Sequence, residues 1–330
     1  MNPSPDAPSR LLQISSSYWK TCALHAGAML DVFTPLASGP GSAPALASSL
    51  GCDQRALEML LNALAAMKLL EKSGDSYALV EESLRFLVKT SPEYIGYIIR
   101  HHHRLMDSWT RLPEAVRAGK PTRAHETTGE GREDFLLGMF NLASAIAPRL
   151  AKTIDLSGRK RLLDLGGGPG TYAANFCLAN PGLSASVFDL SASETFARAT
   201  VERLGVTDRV DFIAGDYLKD AVATGYDVAW LSQILHAEGP AGCRTILDKA
   251  AKALDTGGLI FVHEFMLDDA MDGPEFAALF SLNMLLGTTG GQSYSQAQLR
   301  KMLEDAGFRD VVRLDFTGPN DSAVLRAVKH

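Results

Sequence analysis

The sequence predicts an α/β protein in which a doubly wound parallel sheet follows a mainly helical N-terminal domain. The texture changes near Asp155: before it apolar residues recur at helical spacing, and after it short apolar strands alternate with helices. Such alternation implies a parallel sheet covered by helices on both faces. The first of those strands runs into a glycine-rich turn from Asp164 to Gly170, and sheets of this kind bind ligands at the carboxyl ends of their strands, near the switch in strand order.

Residues 44–50 read as a short helix that Gly51 is placed to end. Asp53 is a natural N-cap for the next helix, in which Leu57, Leu60, Leu61, Leu64 and Met67 form one apolar stripe. Residues 69–72 and 77–79 flank a Ser73-Gly74-Asp75 turn and read as a small hairpin. Helix, turn, helix and a two-stranded wing make the winged-helix plan. From Arg161 the expected order is strand 161–165, helix 170–179, strand 184–188, helix 193–204 and strand 209–214. Strand 227–232, helix 241–254 and strand 259–264 follow.

A chain of 330 residues with 46% hydrophobic and 21% charged residues is comfortable as two soluble domains. It has no internal repeat, no secretion-like N-terminus and no apolar run long enough for a membrane span. Cys22, Cys52, Cys177 and Cys243 are scattered without metal-ligand spacing, so a reducing cytoplasm fits best. A winged helix invites a DNA-binding reading, but a net charge of −6 opposes it. So does residues 42–82, where Arg55, Lys68 and Lys72 face Asp53, Glu58, Glu71, Asp75, Glu81 and Glu82. A dimerisation module without nucleic-acid or membrane partners is favoured.

The glycines of the first strand's turn let the backbone bend sharply and a ligand approach it. Gly166, Gly168 and Gly170 are spaced G-x-G-x-G, whereas a dinucleotide fingerprint would want glycine at Thr171. Asp189 closes the second strand, where a carboxylate can accept from both ribose hydroxyls. Gly215-Asp216 follows the third, where an acid and backbone amides can read an adenine edge. Asp164 stands at the loop entrance, near where a cationic amino-acid group would lie.

The runs DLGGGPGTYA from Asp164, VFDL ending at Leu190, GDYL at 215–218 and LSQILHAEG at 231–239 resemble the S-adenosylmethionine-dependent O-methyltransferases. The branch is the one with an N-terminal winged-helix dimerisation domain, which includes plant phenolic, acetylserotonin and bacterial antibiotic-tailoring enzymes. The likeness implies a Rossmann-like methyltransferase sheet and a homodimer with interlocked N-terminal domains. It divides the chain into a dimerisation domain at 1–95, a helical connection at 96–155 that contributes to the substrate pocket, and the S-adenosylmethionine domain at 156–330. It also implies that no metal is needed and that the spent donor leaves as S-adenosylhomocysteine.

Carried over position by position, the resemblance sets Asp164, Gly166 and Gly168 against the methionine part of the donor and Asp189 with Leu190 at the ribose. Gly215, Asp216 and Tyr217 flank the adenine, and Ser232 and Gln233 lie near the cofactor. His236 falls where the family places its general base, and Glu264 matches the acid that orients it. A hydroxyl acceptor must lose its proton, and imidazole has a suitable pKa for that work. His263 should point the opposite way along a regular strand. Two departures stand out: Ala237 follows the histidine where many plant members have an acid, and Ser293 replaces a further glutamate in Gly290-Gly291-Gln292-Ser293-Tyr294.

For the acceptor, the family's pocket draws on the helix holding His102, Met106 and Trp109, one of which should face it, and on Met139 and Phe140. The run containing Asn283 and Met284 resembles the acetylserotonin branch, whose matching asparagine faces substrate; Asn283 can equally be a buried helix asparagine bonded to backbone. His101-His102-His103 does not read as a metal site, because consecutive helical residues lie about 100° apart and do not converge on one ion. The expected reaction is methyl transfer to a hydroxyl of a small, aromatic acceptor. Methylation at nitrogen or carbon on the same scaffold, or a ligand-sensing DNA-binding regulator, are the alternatives.

Overall fold

The computed structural model describes residues 7–123 and 129–330. It divides into two compact units, Met1–Leu105 and Met106–His330.

The first unit begins with α1 (Ala7–Ser16) and α2 (Tyr18–Met29), followed by β1 (Gly41–Ser42), α3 (Ala43–Leu50) and α4 (Gln54–Ala66). The caps form where the sequence sets them: Asp53 Oδ1 accepts from the N–H of Ala56 at 2.8 Å, and Gly51 ends α3 at φ 67°. β2 (Leu70–Ser73) and β3 (Ser76–Leu79) form the hairpin, and β1 adds a third strand to give the order β1-β3-β2. Leu57, Leu61 and Leu64 turn inward onto Phe33, Leu70 and Tyr77. The Tyr77 hydroxyl donates to Asn62 Oδ1 at 2.8 Å, so its buried polar end is satisfied. α5 (Glu81–Phe86) follows, and α6 (Gly96–Thr110) runs across the division. Leu11, Leu12, Ile14 and Trp19 on α1 and α2 stand exposed.

In the second unit, α7 (Leu112–Ala118) and α8 (Gly129–Thr153) lead into β4 (Arg161–Leu165), α9 (Thr171–Ala179), β5 (Ser184–Asp189), α10 (Glu194–Arg203) and β6 (Val210–Ala214). Next come β7 (Tyr226–Ser232), α11 (Pro240–Ala253), β8 (Leu254–Glu264), α12 (Glu275–Gly287), α13 (Gln296–Asp305), β9 (Phe308–Thr317) and β10 (Ala323–Lys329). The seven strands are ordered β6-β5-β4-β7-β8-β10-β9, parallel except for β10, which is antiparallel to both neighbours. Strand order reverses between β4 and β7, so the carboxyl ends of these two strands form the crevice where ligands bind.

The expected strands appear within a residue or so of their expected bounds, with one difference. β8 begins at Leu254 rather than Leu259, and a register shift between Tyr226 and Val228 absorbs the turn around Gly257. The closing pair β9–β10 is an addition to the expected order, and it covers the edge β8 would otherwise expose. Buried Leu163, Leu165, Leu231, Ile260 and Val262 face one helical layer, and Leu162, Val187, Trp230 and Phe261 face the other. Among the described residues no helix is long and apolar enough to cross a membrane, and no group of three or more metal-ligating side chains converges.

Candidate active site

The glycine turn is built for close approach. Gly166, Gly168 and Gly170 have φ of 72°, 51° and 69°, a left-handed backbone that side-chain-bearing residues rarely adopt. A Cβ on Gly166 would strike Ile234 and one on Gly167 would strike the Asp164 carboxylate, whereas no protein atom lies within 4 Å of the Cβ position of Gly168. Gly168 therefore turns its bare face to open space at the carboxyl end of β4.

Two carboxylates hold the turn. Asp189 Oδ2 accepts from the N–H of Gly168 at 2.8 Å, and its Oδ1 accepts from the N–H of Leu190 at 2.7 Å and from Ser193 Oγ at 2.9 Å. Asp164 is buried beneath the turn, where Oδ2 accepts from the N–H of Ala173 at 3.3 Å and Oδ1 has no partner. Burial pushes its pKa up to about 7, opposed by the Ala173 N–H and reinforced by the charge of Asp189.

Beyond β6, Asp216 Oδ1 accepts from the N–H of Leu218 at 2.8 Å and Oδ2 from Lys219 Nζ at 2.7 Å; the lysine hydrogen bond contributes most to holding its pKa low. Gly215 approaches the Phe188 ring so closely that a Cβ would collide with it. Tyr217 lies beside Glu238, whose pKa burial raises. This contact ties the loop after β6 to the turn after β7.

That second turn carries the histidine. Ser232 ends β7, and its Oγ lies 2.8 Å from His263 Nδ1. Gln233 follows in a left-handed conformation at φ 60°, with its N–H bound to the His263 carbonyl at 2.9 Å and its buried Oε1 without a partner. A non-glycine residue held so is the kind of local strain that clusters at functional sites. A short 3₁₀ turn over Leu235–Ala237 then presents His236. Its Nδ1 lies 2.7 Å from Glu264 Oε2, at the end of the adjacent strand β8, while Glu264 Oε1 accepts from the backbone N–H of Leu235 at 2.9 Å and of His236 at 3.4 Å. An ionised carboxylate only accepts, so the Nδ1 proton faces Glu264 and Nε2 carries the free lone pair.

Around the imidazole, Phe280 on α12 meets the ring edge-on with centroids 4.8 Å apart, and Phe265 and Phe276 extend the cluster at 4.9 and 6.0 Å from Phe280. The loop at Gly290-Gly291 packs directly on the backbone of this turn: a Cβ on Gly291 would strike the His236 carbonyl. Ser293 is buried, its Oγ donating to the Ala277 carbonyl at 2.8 Å, and it fastens that loop to α12. Among the described residues Glu264 is the one carboxylate bonded to the His236 ring. His263 is buried against Trp230, Tyr172 and Phe316, and burial pushes its pKa down to about 4.

The remaining expected residues are more dispersed. Asn283 and the buried Met284 lie on α12, and Asn283 bonds Arg123 rather than standing free. Met139 and Phe140 lie on α8, where Phe140 stacks under Arg203 of α10 at 5.2 Å. His102, Met106 and Trp109 lie on α6, with His102 exposed and the other two half-buried. Sequence reasoning passed over Phe280 and Arg123 and named Gly291 only as part of the run from Gly290 to Tyr294, without a contact to the histidine turn. A stripe of Phe276 and Phe280 one turn apart was the available signal for the first; the other two depend on contacts between distant segments. A surface hollow lined by Arg161, Ser184 and Asp211 lies at the amino ends of the strands, the wrong edge for ligand binding in this fold.

Comparison with known proteins gives the family. Residues 109–309 match the O-methyltransferase domain family and residues 12–89 the O-methyltransferase dimerisation domain. A 3-hydroxy-5-methyl-1-naphthoate 3-O-methyltransferase of Streptomyces sahachiroi is 35% identical, over 99% of this chain and 97% of that protein. The N,N-dimethyltransferase OxyT of Streptomyces rimosus is 30% identical, over 93% and 92%. The crystal structure of human N-acetylserotonin methyltransferase in complex with S-adenosylmethionine superposes with a TM-score of 0.89 at 27% identity, covering 100% of this chain and 99% of that one.

Proposed function

The chain belongs to the O-methyltransferase family, whose methyl donor is S-adenosylmethionine, and from that premise we propose that it methylates a hydroxyl of a small aromatic acceptor with His236 as general base. The His236–Glu264 pair carries this reading. A neutral amine already has a lone pair to offer, whereas a hydroxyl near neutral pH needs its proton removed; a histidine whose tautomer a carboxylate fixes suits the second task. The half-buried Phe265 and Phe280 beside it suit a flat aromatic acceptor, and a naphthoate is what the Streptomyces sahachiroi relative methylates by name.

The residues present fit the donor. Gly168 offers open backbone at the carboxyl end of β4, and Gln233 Oε1 is a buried amide oxygen with no partner in the protein. In this reading Gly166 and Gly168 line the methionine part, with Asp164 as the buried acid beneath them. Asp189 and Leu190 line the ribose, Gly215, Asp216 and Tyr217 flank the adenine, and Ser232 and Gln233 close the side facing His236. When bound, S-adenosylmethionine supplies a methyl group on a sulfonium, an electrophile that needs no metal.

His236 Nε2 takes the hydroxyl proton as the acceptor oxygen forms its bond to the methyl carbon and the carbon–sulfur bond breaks. Glu264 stabilises the resulting imidazolium through Nδ1. Alignment contributes up to about 7–11 kcal/mol in well-oriented reactions and base catalysis roughly 10²–10⁴-fold. The acceptor is lined in this reading by Met139, Met284 and either Met106 or Trp109. The exposed apolar side chains of α1 and α2 support a homodimer through the N-terminal unit.

Calorimetry with S-adenosylmethionine, combined with turnover on a panel of phenols, quinols and hydroxyindoles, tests the reading. Asp189→Ala should weaken donor binding by at least about tenfold. His236→Ala should leave it intact while turnover drops about 10²–10⁴-fold. Near-normal turnover of His236→Ala would remove the base assignment.

A further inference from the structure

Phe280 touches the His236 ring, and Asn283 follows three residues later on the same face of α12, roughly 4.5 Å further along the helix axis. Asn283 is engaged by Arg123: Nη1 donates to its Oδ1 at 3.0 Å and Nη2 to its backbone carbonyl at 3.2 Å. The placement is fixed from behind, because the N–H groups of Thr122 and Arg123 both donate to the Leu286 carbonyl, at 3.1 and 2.9 Å. Gly287 makes the room, since a Cβ there would collide with the guanidinium.

Among the described residues, every partner of this cation is neutral. Two of its five N–H groups are used on amide oxygens, and no carboxylate pairs with it among the described residues. Arg123 is half-buried, and that burial pushes its pKa down, with no acid among the described residues to offset it. A guanidinium withdrawn from water is costly unless an anion meets it, and its flat fork matches a carboxylate in two parallel hydrogen bonds. Capping the carboxyl end of α12 accounts for the bond to the Asn283 carbonyl, but it leaves the side-chain bond, and the lack of a counter-ion among the described residues, without a purpose.

We propose that Arg123, braced by Asn283, receives a carboxylate carried by the acceptor, so that the substrate is an aromatic hydroxy acid whose hydroxyl meets His236. The inference rests on the methyltransferase reading of the site and names the class of its acceptor. One helical turn between Phe280 and Asn283 sets the spacing: hydroxyl and carboxylate sit on one compact ring system, not at the ends of a long chain.

The experiment measures, by calorimetry on the S-adenosylhomocysteine-loaded protein, the affinities of a hydroxynaphthoate and of the naphthol that lacks its carboxylate. The wild type should favour the naphthoate by at least about tenfold. Arg123→Gln should bring the ratio within about twofold, Arg123→Lys should keep part of it, and all three proteins should bind S-adenosylhomocysteine alike. Equal affinity for the two probes in the wild type, binding of neither, or a preference that survives Arg123→Gln would overturn the proposal. So would a loss of S-adenosylhomocysteine affinity with the acceptor preference intact, because the cation would then serve the donor. Methyl transfer is read separately: its absence alongside an intact carboxylate preference counts against hydroxyl methylation and leaves the Arg123 site standing.

Discussion

Glu264 grips His236 twice: Oε2 takes the ring Nδ1–H at 2.7 Å, and Oε1 takes the backbone N–H of the same residue at 3.4 Å and that of Leu235 at 2.9 Å. One side chain thus sets both the turn and the tautomer. In Glu264→Gln, the two backbone donors hold the amide oxygen on their side, which turns the amide N–H toward Nδ1. The ring proton then moves to Nε2, where it blocks proton abstraction. Turnover with a hydroxyl acceptor should fall about 10²–10⁴-fold, while donor affinity measured by calorimetry stays within about threefold. Wild-type turnover in this variant would mean that the tautomer does not matter.

Among the described residues His236 has one carboxylate behind it, with Ala237 and the buried Ser293 at the positions of the acids expected from other members. The need for the base should therefore track acceptor acidity. The ratio of wild-type to His236→Ala turnover should rise by at least about tenfold from an acidic phenol to an aliphatic alcohol. A flat ratio across the series would mean that the histidine positions the acceptor without moving its proton.

Neighbouring glycines in the turn should fail in different ways. Gly168→Ala meets no protein atom within 4 Å but must hold φ near 51°, a strain of about 1–2 kcal/mol. Its methyl group faces open space at the carboxyl end of β4. Donor affinity should drop by at least about tenfold with a modest loss of melting temperature. Gly167→Ala would bring its Cβ to 2.5 Å from the buried Asp164 Cγ, so its main effect should be on the melting temperature. Calorimetry and differential scanning fluorimetry on the two variants separate the effects, and an identical pattern would refute the distinction.

His263 makes stability depend on acid. Its pKa falls from 6.5 to about 4 on folding because burial disfavours the charged ring. Between those values the unfolded chain binds the extra proton, so this group's contribution is present above pH 6.5 and is lost as pH falls toward 4. His25, buried in the N-terminal unit and lowered to about 4 for the same first reason, adds in the same direction. The melting temperature should drop more steeply between pH 7 and pH 5 in the wild type than in His263→Phe. Parallel slopes would assign the acid sensitivity to other groups.

Local physics made much of the architecture legible in the sequence. Asp53 and Gly51 announce their caps because capping is settled within a few residues, and the strands around Leu163, Val187 and Leu231 announce themselves because a doubly buried strand must be apolar throughout. The positive-φ glycines of the turn read the same way. Contacts across long separations were not legible. The Arg123–Asn283 bond joins residues 160 apart, and nothing near either residue foretells it. Phe280 looks like an ordinary core aromatic until α12 is laid beside the turn of His236. Gly291 looks like a loop glycine until its backbone is pressed against that turn. The β9–β10 pair escaped because β9 buries Phe308, Val311 and Phe316 at spacings that break the strand period, with register shifts along its pairing to β10, and carries no motif.

β8, the strand that ends in Glu264, is flanked on one side by β7 and on the other by β10, where Ala323 stands directly opposite Glu264. The carboxylate is therefore set in register by a segment far along the chain, across the loop closure of α12, α13 and β9. Contacts of such long range form late, because the entropy of closing the intervening chain must be met first. On refolding from denaturant, helical signal should return ahead of the fixed His236–Glu264 pair, and an intermediate with its sheet still open beyond β8 would hold the donor turn in place before it could transfer a methyl group.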